Sequence, residues 1–380
     1  MKKTIFFLVN NLSFLVSHRF DIVIAAKKKG YNVKIGYGEL GNTKTKIFLE
    51  KNIDLFLLPL KRNSINPLAE LWTFIKICQI FRKLKPDIVH LITIKAYLYG
   101  GIAARIEKIP CVVSSIAGLG ILFNQKKKLN FFFHKILYPL FNLAFNHPNQ
   151  RVIVQNRKDR KILIDWIRFK KKKISLIKGS GVKLSKFHKL TERNNITTIC
   201  FASRLLYQKG VYDFISAARI ILKKGIKAKF LLAGSLDPGN FYSLTQLQLN
   251  NITKEKIVDV IGYQEDIPKL FSKSNIICLP SFYGEGLPKV LIEAAAASRA
   301  IVTTNISGCR EAVIPNKTGL LVPIKNPQKL ADALQWLIKH PNERIAMGKA
   351  GRKLAEKEFR IEKIVEDHLI IYKQLILSQS

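Results

Sequence analysis

Short apolar runs alternate with helical patterns along the whole chain, and this rhythm limits the available folds more than any other feature. In the first half the strand-like runs are Ile5–Val9, Val33–Tyr37, Leu55–Leu58, Ile88–Ile92, Cys111–Ser115 and Val152–Gln155. In the second half they are Thr198–Ala202, Lys229–Ala233, Val258–Ile261, Ile276–Leu279 and Ala300–Thr304. Apolar strands separated by helices are typical of parallel sheets with both faces covered. The sequence therefore predicts an α/β protein.

The length of 380 residues exceeds what one hydrophobic core usually supports, so we expect two domains. The rhythm occurs in both halves, which predicts two doubly wound, Rossmann-like domains that face a central cleft. We expect an N-terminal domain over 1–178, a second domain over 179–360, and a C-terminal helix over 361–380 that can pack back on the first domain. The helices predicted in the first half are Arg19–Lys29, Lys44–Asn52, Leu68–Lys83, Tyr97–Lys108 and Lys158–Ile167.

Neither a leader nor a membrane-spanning helix is expected. The apolar start is interrupted by Asn10 and Asn11 and no small-residue cleavage site follows, which favours a buried first strand over a signal peptide. No apolar run reaches the ~18 residues that span a bilayer. The five cysteines form no CxxC pair, which is typical of a reducing compartment. We predict a cytoplasmic protein, associated peripherally with the inner face of the cytoplasmic membrane.

The net charge is +38, and residues 1–185 hold 35 basic against 9 acidic side chains. Lysine blocks at 126–128 and 170–173 favour an anionic partner. Between them, aromatic and basic residues share one predicted helix, a composition suited to the headgroup region of a membrane. We therefore predict that residues 126–145 dock on an anionic membrane surface. The alternative is a core helix, because Phe and Leu at helical spacing usually face a core.

The segment from Ser281 to Glu293 follows a predicted strand and enters a helix expected over Val290–Ala297. Its Tyr-Gly-Glu-Gly turn and helix start gather unpaired backbone N–H groups and the positive end of a helix dipole, which together favour a phosphate. Pro288 is expected in the first helical turn. Glu285 and Glu293 bracket the turn, and their carboxylates accept hydrogen bonds from sugar hydroxyls. The alternative is that both are ordinary surface glutamates.

Two cations follow the predicted strand Thr198–Ala202. Arg204 and Lys209 come just past its carboxyl end, at the edge where Glu285 is also expected. A guanidinium binds phosphate through two hydrogen bonds and an ammonium acts as a point charge. Chance surface charge is the alternative, since the chain has 64 basic residues.

The segment Ser281–Glu293 resembles the Glu-x7-Glu signature of the family 4 retaining glycosyltransferases, which have the GT-B fold. Ala300–Glu311 and Asn316–Val322 resemble the family blocks that follow. The similarity extends over nearly the whole chain and is closest to the branch that builds bacterial capsule, lipopolysaccharide and lipid-linked glycans. It implies that the first domain binds the acceptor and the second binds a nucleotide sugar.

The resemblance also implies roles for individual residues of the second half. Arg204 and Lys209 match the family's Arg-x4-Lys-Gly block, which holds the donor diphosphate and neutralises the leaving nucleotide. Glu285 is expected to orient the transferred sugar and Glu293 to bind the ribose. The catalytic residues predicted in this way are Glu285, Lys209 and Arg204. The predicted donor-binding residues are Gly234, Gly262, Tyr263, Gly286, Leu287, Pro288 and Glu293.

The first half departs from the family pattern in two places. Asn10-Asn11-Leu12-Ser13 stands where many relatives have a Gly-Gly loop, and Ala117 stands where many have a histidine near the transferred sugar. Lys95 matches a lysine common in this branch and is expected to meet an acceptor phosphate. The predicted acceptor-binding residues are Lys95, Arg19 and Gly118.

No metal or other cofactor is predicted, because the chain has no Asp-x-Asp motif and no histidines and cysteines at metal spacing. We expect a metal-independent, retaining glycosyltransferase. It would move a hexose or N-acetylhexosamine from a nucleotide diphosphate sugar, a UDP-sugar, to a lipid-linked oligosaccharide or a lipopolysaccharide or capsule acceptor. The alternatives are a GT-B-like nucleotide-sugar epimerase or phosphorylase, and a basic nucleic-acid-binding protein. No nucleic-acid partner is expected, since no recognisable binding module is present.

Overall fold

The computed structural model describes residues 2–41, 43–61, 66–119, 138–188, 192 and 196–378. The chain divides into two compact units. Unit 1 consists of Met1–Ser180 together with Glu362–Ser380, and unit 2 is the continuous stretch Gly181–Ile361. In sequence, unit 2 is therefore an insertion within unit 1.

Unit 1 is built on a parallel sheet of seven strands. The strands are β1 Thr4–Asn11, β2 Asn32–Glu39, β3 Asp54–Leu57, β4 Ile88–Ile92, β5 Cys111–Ile116, β6 Gln150–Val154 and β7 Ile174–Leu176. Their order is β3-β2-β1-β4-β5-β6-β7, and every neighbouring pair is parallel. The helices between them are α1 Leu12–Lys28, α2 Lys46–Leu49, α3 Pro67–Leu84, α4 Ile94–Ile106, α5 at 138–145 and α6 Arg157–Ile167.

Unit 2 is built on a parallel sheet of six strands. They are β8 Thr197–Ala202, β9 Ala228–Ala233, β10 Asp259–Gly262, β11 Ile276–Leu279, β12 Ala300–Thr304 and β13 Gly319–Val322. Their order is β10-β9-β8-β11-β12-β13. The helices are α7 Val211–Lys223, α8 Gln246–Glu255, α9 Ile267–Ser272, α10 Lys289–Ala296, α11 Ser307–Ala312, α12 Pro327–Lys339 and α13 Pro341–Leu354. A π-helical stretch, Ala355–Phe359, leads into α14, Ile361–Leu377, which returns to unit 1.

Both faces of the unit 1 sheet are covered by apolar side chains. Along β1, Phe6 and Leu8 belong to one buried cluster, whereas Phe7 and Val9 belong to a second. Neighbouring residues of a strand point to opposite faces, so each cluster lies on its own side of the sheet. Residues of α14, among them Tyr372, pack into the second cluster. The α/β, doubly wound class expected from the sequence is confirmed.

Several predicted boundaries differ from the structure. The first helix begins at Leu12 rather than Arg19, because the Asn11 side chain accepts a hydrogen bond from the Phe14 N–H and caps the helix directly after β1. The short strands β7 and β13 are not among the predicted strands. Pro288 precedes α10 as its N-cap, with φ −61° and ψ 123°, and does not lie in the first helical turn.

The segment predicted to dock on a membrane, residues 126–145, lies largely outside the described residues. In its described part, α5, Phe141 and Phe145 are each 1% exposed and pack against Tyr97. One face of α5 therefore packs on the core, while Leu140 and Leu143 on its other side are exposed. None of the helices among the described residues combines the length and apolarity needed to cross a bilayer.

Candidate active site

The strand order of the unit 2 sheet reverses between β8 and β11, which are hydrogen-bonded neighbours. The loops that leave these two strands run in opposite directions, and doubly wound sheets bind ligands in the crevice this creates at the carboxyl edge. The loop after β8 carries Arg204 and Lys209, and the loop after β11 carries Glu285. The structure therefore brings the three predicted catalytic residues to one edge of the sheet.

Backbone contacts hold the turn after β11 in place. The Phe282 N–H donates to the carbonyl oxygen of Gln208 at 3.1 Å, which ties this turn to the loop after β8. A Cβ at Gly308 would lie 2.4 Å from the Gly286 oxygen and 2.5 Å from that of Glu285. Only glycine lets the start of α11 approach so closely. The position of the Glu285 backbone is therefore fixed from two sides.

Lys209 and Glu285 form an ion pair, with Lys209 Nζ 2.5 Å from Glu285 Oε1. Their side chains are only 15% and 10% exposed. The hydroxyl of the fully buried Ser281 donates to the same Oε1 at 2.9 Å. Hydrogen bonds to an ionised group are stronger than neutral ones, so these two contacts orient the carboxylate. Ser281 is not among the predicted site residues, although it lies in the segment that predicted the site.

Glu293 lies one turn into α10, and Oε1 of its carboxylate is 3.4 Å from Nζ of Lys289. The Glu293 side chain is 13% exposed. Burial raises the pKa of Glu293, while the ammonium of Lys289 acts in the opposite direction. Lys289 and the helix start together give this end of α10 a positive potential that suits a phosphate group.

Arg204 has a different acidic partner. Its Nη1 lies 2.5 Å from Asp237 Oδ2, and half of its side chain is exposed. Asp237 also accepts a hydrogen bond from Asn240 Nδ2 at 2.8 Å. The two predicted phosphate-binding cations, Arg204 and Lys209, thus belong to separate ion pairs. Asp237 is a further site residue that the sequence reasoning missed.

The predicted donor-binding glycines link two neighbouring turns. Gly234, after β9, has φ +152°, and a Cβ there would lie 1.8 Å from the Ser203 carbonyl oxygen. Its N–H donates to the Gly262 oxygen at 2.8 Å. Tyr263 follows and is 69% exposed. Leu287 packs its side chain in the unit 2 core, so only its backbone can contact a donor.

In unit 1, Lys95 lies in the first turn of α4 and is held by an acid. Its Nζ lies 2.6 Å from Glu70 Oε1 and donates to the Lys61 carbonyl oxygen at 2.9 Å. The Tyr99 hydroxyl donates to the other oxygen of Glu70 at 2.6 Å. Lys95 is therefore oriented by a carboxylate that is itself fixed by a tyrosine. Glu70 is not among the predicted site residues.

The loop before α4 is strained at Thr93. This β-branched residue has φ +84°, and its hydroxyl donates to the side chain of Asn10 at the end of β1. The strand order of unit 1 reverses between β1 and β4, so Thr93 and Lys95 lie at the switch point of this sheet. Gly118, with φ +123°, follows β5 at the same edge, next to the exposed Ala117.

Arg19 does not lie where an acceptor-binding role was predicted. It is in the middle of α1 and 2% exposed, and its Nη1 donates to the His18 carbonyl oxygen at 3.1 Å. Burial lowers the pKa of Arg19 to about 10. Its electrostatic neighbours are His90, His368 and Tyr372, all fully buried. The predicted helix began at Arg19 with polar groups toward the cleft, whereas the structure has Arg19 in the middle of a longer helix that turns its side chain into the core.

Across the described ranges, no three His, Cys, Asp or Glu side chains come together as a possible metal site. Metal independence remains a prediction.

Two family models match the chain. The model described as "Glycosyl transferase 4-like" matches residues 4–156, in unit 1. The model described as "Glycosyl transferases group 1" matches residues 182–354, in unit 2. Together they cover most of both units, and the chain belongs to the family 4 glycosyltransferases of the GT-B fold.

Three curated relatives are similar over most of their length. The capsular polysaccharide biosynthesis glycosyltransferase CapM of Staphylococcus aureus is 27% identical over 84% of this chain and 85% of its own. An N,N'-diacetylbacillosaminyl-diphospho-undecaprenol α-1,3-N-acetylgalactosaminyltransferase of Campylobacter jejuni is 28% identical over 76% of this chain and 77% of its own. A UDP-Gal:α-D-GlcNAc-diphosphoundecaprenol α-1,3-galactosyltransferase of Escherichia coli is 24% identical over 86% and 82%.

Solved structures share the fold at lower identity. A sucrose-phosphate synthase from Thermosynechococcus elongatus superposes with a TM-score of 0.81 and 20% identity, over 99% of this chain and 100% of its own. Anabaena HepE in complex with UDP-glucose superposes with a TM-score of 0.76 and 19% identity, over 98% of this chain and 99% of its own. At such identities the likeness establishes the fold alone.

Proposed function

We propose that this glycosyltransferase is retaining and metal-independent, and that it transfers a hexose or N-acetylhexosamine from a UDP-sugar. The acceptor would be a lipid-linked oligosaccharide or a lipopolysaccharide or capsule precursor. The observation that carries the proposal is the Lys209–Glu285 ion pair, which lies at the carboxyl edge of unit 2 where this sheet class binds ligands.

Donor chemistry follows from the charges at this edge. When the bond between the anomeric carbon and the diphosphate breaks, negative charge develops on the leaving nucleotide, and fixed positive groups stabilise it. Lys209, Arg204 and the start of α10 supply such groups without a metal. The E. coli relative is named for UDP-Gal, and the HepE structure holds UDP-glucose. Both favour UDP as the nucleotide.

The way Glu285 is held supports retention by front-face attack over retention through a covalent glycosyl-enzyme intermediate. Its Oε1 accepts bonds from Lys209 and Ser281, which favours orienting sugar hydroxyls over attacking the anomeric carbon. The acceptor oxygen would then attack from the face that the diphosphate leaves, and its proton would pass to the departing phosphate oxygen. Relatives named for α-1,3 transfer are consistent with this route for an α-linked donor.

The acceptor proposal involves unit 1. Two relatives are named for diphospho-undecaprenol acceptors, which carry phosphate next to the reacting sugar. Lys95, held by Glu70 at the switch point of unit 1, has the charge to bind such a phosphate. An acceptor of this kind is embedded in lipid, so we also propose peripheral association with the inner face of the cytoplasmic membrane.

A panel of UDP-, GDP- and ADP-sugars tests the donor. We expect one UDP-sugar to raise the melting temperature by mass action and to be slowly hydrolysed, with both effects unchanged by EDTA. Transfer to a synthetic diphospho-polyprenol glycan, followed by NMR of the new linkage, tests retention. Stabilisation by GDP-sugars alone, loss of activity in EDTA, or an inverted anomeric centre would each contradict the corresponding part of the proposal.

A further inference from the structure

Helix α3 exposes a row of large apolar side chains on the side that faces away from the core of unit 1. This outer stripe consists of Leu68, Leu71, Trp72 and Ile75, which are 78%, 56%, 52% and 38% exposed. The spacing of i, i+3, i+4 and i+7 places them on one face of the helix. The opposite face is buried through Thr73, Ile77 and Phe81.

Apolar side chains on its outer face distinguish α3 from an ordinary surface helix. The surface helix of a globular domain usually has one apolar face, directed to the core, and one polar face. A contiguous exposed apolar patch marks a site of interaction with a protein or a membrane. The inner face of α3 packs on the core of unit 1, and the outer stripe is exposed and accessible to a separate partner.

The charge around the stripe indicates the kind of partner. Nζ of Lys76 lies 4.3 Å from the centre of the Trp72 ring, and Lys83 is exposed two turns further along. The single acid of α3 is Glu70, which is engaged by Lys95. A surface that meets the outer face of α3 therefore encounters apolar side chains bordered by positive charge.

We propose that the outer stripe of α3 docks on the surface of an anionic lipid bilayer. Tryptophan prefers the headgroup boundary because its ring is apolar and its N–H remains hydrated. Leucine and isoleucine add shallow burial, while lysines keep their ammonium groups among anionic headgroups. The inference extends the proposed function, since it assigns the contact with the acceptor's membrane to α3 and not to residues 126–145.

Co-sedimentation of the full-length protein with phosphatidylcholine vesicles containing increasing phosphatidylglycerol tests the docking. Binding should rise with the anionic fraction and fall with salt. Leu71→Ser and Trp72→Ser should each lower the partition coefficient at least fivefold without changing the melting temperature. Leu247→Ser is the matched control, because it removes a leucine that is 69% exposed in unit 2, and it should bind like the wild type.

Tryptophan fluorescence provides a second, local readout. With Trp166→Phe and Trp336→Phe combined, Trp72 is the remaining tryptophan. Its emission should shift to shorter wavelength when anionic vesicles are added, and lipids brominated near the headgroup should quench it. No shift in the presence of bound vesicles would overturn the proposal.

Two further outcomes would also overturn it. If replacing Lys126, Lys127 and Lys128 by Ser abolishes vesicle binding while the stripe variants bind normally, docking belongs to the other segment. If light scattering finds a dimer that Leu71→Ser converts to monomer, with vesicle binding unchanged, the stripe is an interface between two copies. Donor hydrolysis in solution is measured alongside, so failure of the proposed activity is distinguishable from failure to dock.

Discussion

Lys209 Nζ lies 2.5 Å from Glu285 Oε1, although 76 positions separate the two residues in sequence. The pair joins the loop after β8 to the turn after β11. In the proposed reaction Lys209 faces the leaving diphosphate and Glu285 faces the sugar, so one contact aligns both halves of the donor. Each partner also keeps the other's charge compensated in a mostly buried position.

Lys209→Ala should lower kcat/KM by about 10²- to 10³-fold, comparable to losing an oxyanion donor at ~3–4 kcal/mol. The protein should also lose stability, because a mostly buried carboxylate remains without its lysine. The double variant Lys209→Met, Glu285→Gln separates the two effects. Its melting temperature should recover while activity stays lost. An active double variant would show that the charges serve folding alone.

Ser281→Ala should lower kcat about tenfold and leave the donor KM nearly unchanged. The reason is that a hydrogen bond to a charged group contributes about 1.5–3 kcal/mol, here to the orientation of Glu285. Ser274→Ala is the control, since Ser274 is also buried but donates to the Leu270 carbonyl oxygen at 3.0 Å. If the two substitutions have equal kinetic effects, Ser281 contributes through packing and not through its hydrogen bond to Glu285.

Glu293→Gln should raise the donor KM more than it lowers kcat, because a ribose contact is equally strong in the ground and transition states. The raised pKa of Glu293 adds a pH signature. In the wild type, donor affinity should weaken on acidification at a higher pH than for an ordinary glutamate. The glutamine variant should lack this change. A collapse of kcat at constant donor affinity would contradict the ribose assignment.

Arg204→Ala should lower kcat/KM for the donor 10- to 100-fold, with little change in the free energy of unfolding. Exposed ion pairs such as Arg204–Asp237 contribute about 0–1 kcal/mol, so the substitution tests binding separately from folding. Arg219→Ala removes another exposed pair of unit 2, in which Nη2 lies 2.5 Å from Glu255 Oε2. This control should leave both the kinetics and the stability unchanged.

His368→Leu should make the protein less sensitive to acid. Burial lowers the pKa of His368 to about 3, with Arg19 adding repulsion, and the pKa of His90 beside it is also lowered. Below about pH 6.5 the unfolded chain binds protons that the folded chain does not, so the free energy of unfolding falls on acidification. The slope is about 1.4 kcal/mol per pH unit for each histidine.

Among the described residues, the Nε2 atom of His368 has no hydrogen-bond partner, so leucine should preserve the melting temperature at pH 7.5. Between pH 7 and pH 5 the variant should lose less stability than the wild type. His188→Leu, at an exposed position, should leave the pH profile unchanged. Identical profiles for wild type and His368→Leu would rule out this histidine as a source of acid sensitivity.

The buried strands were the most predictable part of the fold. Ile88–Ile92, Ile276–Leu279 and Ala300–Thr304 are strands over the same residues that the sequence indicated. Apart from His90, each is an apolar or β-branched run, as expected of a central parallel strand that is buried on both faces. The start of α1 was missed because its cap, Asn11, is also the last residue of β1, so no loop separates the two elements.

The elements of the site could be predicted, but the partners of its charges could not. A glycine turn between a strand and a helix is a local pattern, and it led to Glu285 and Glu293. Asp237 and Glu70 hold Arg204 and Lys95 across long sequence separations, and such pairing depends on how the loops pack. The prediction for Arg19 was wrong for a different reason: its position on the buried face of α1 follows from where that helix begins.

Because α14 follows unit 2 in the chain, unit 1 cannot finish its core until unit 2 has been synthesised. Ile364, Ile371, Tyr372 and Leu375 complete the cluster on one face of the unit 1 sheet, and the Tyr372 hydroxyl lies 2.6 Å from His90 Nδ1. Domains generally fold as units during translation. Unit 2, continuous in sequence, can therefore fold first, while this apolar face of the unit 1 sheet is covered only in part, by α1 and α2. Expression of residues 1–180 alone should consequently yield an aggregation-prone fragment.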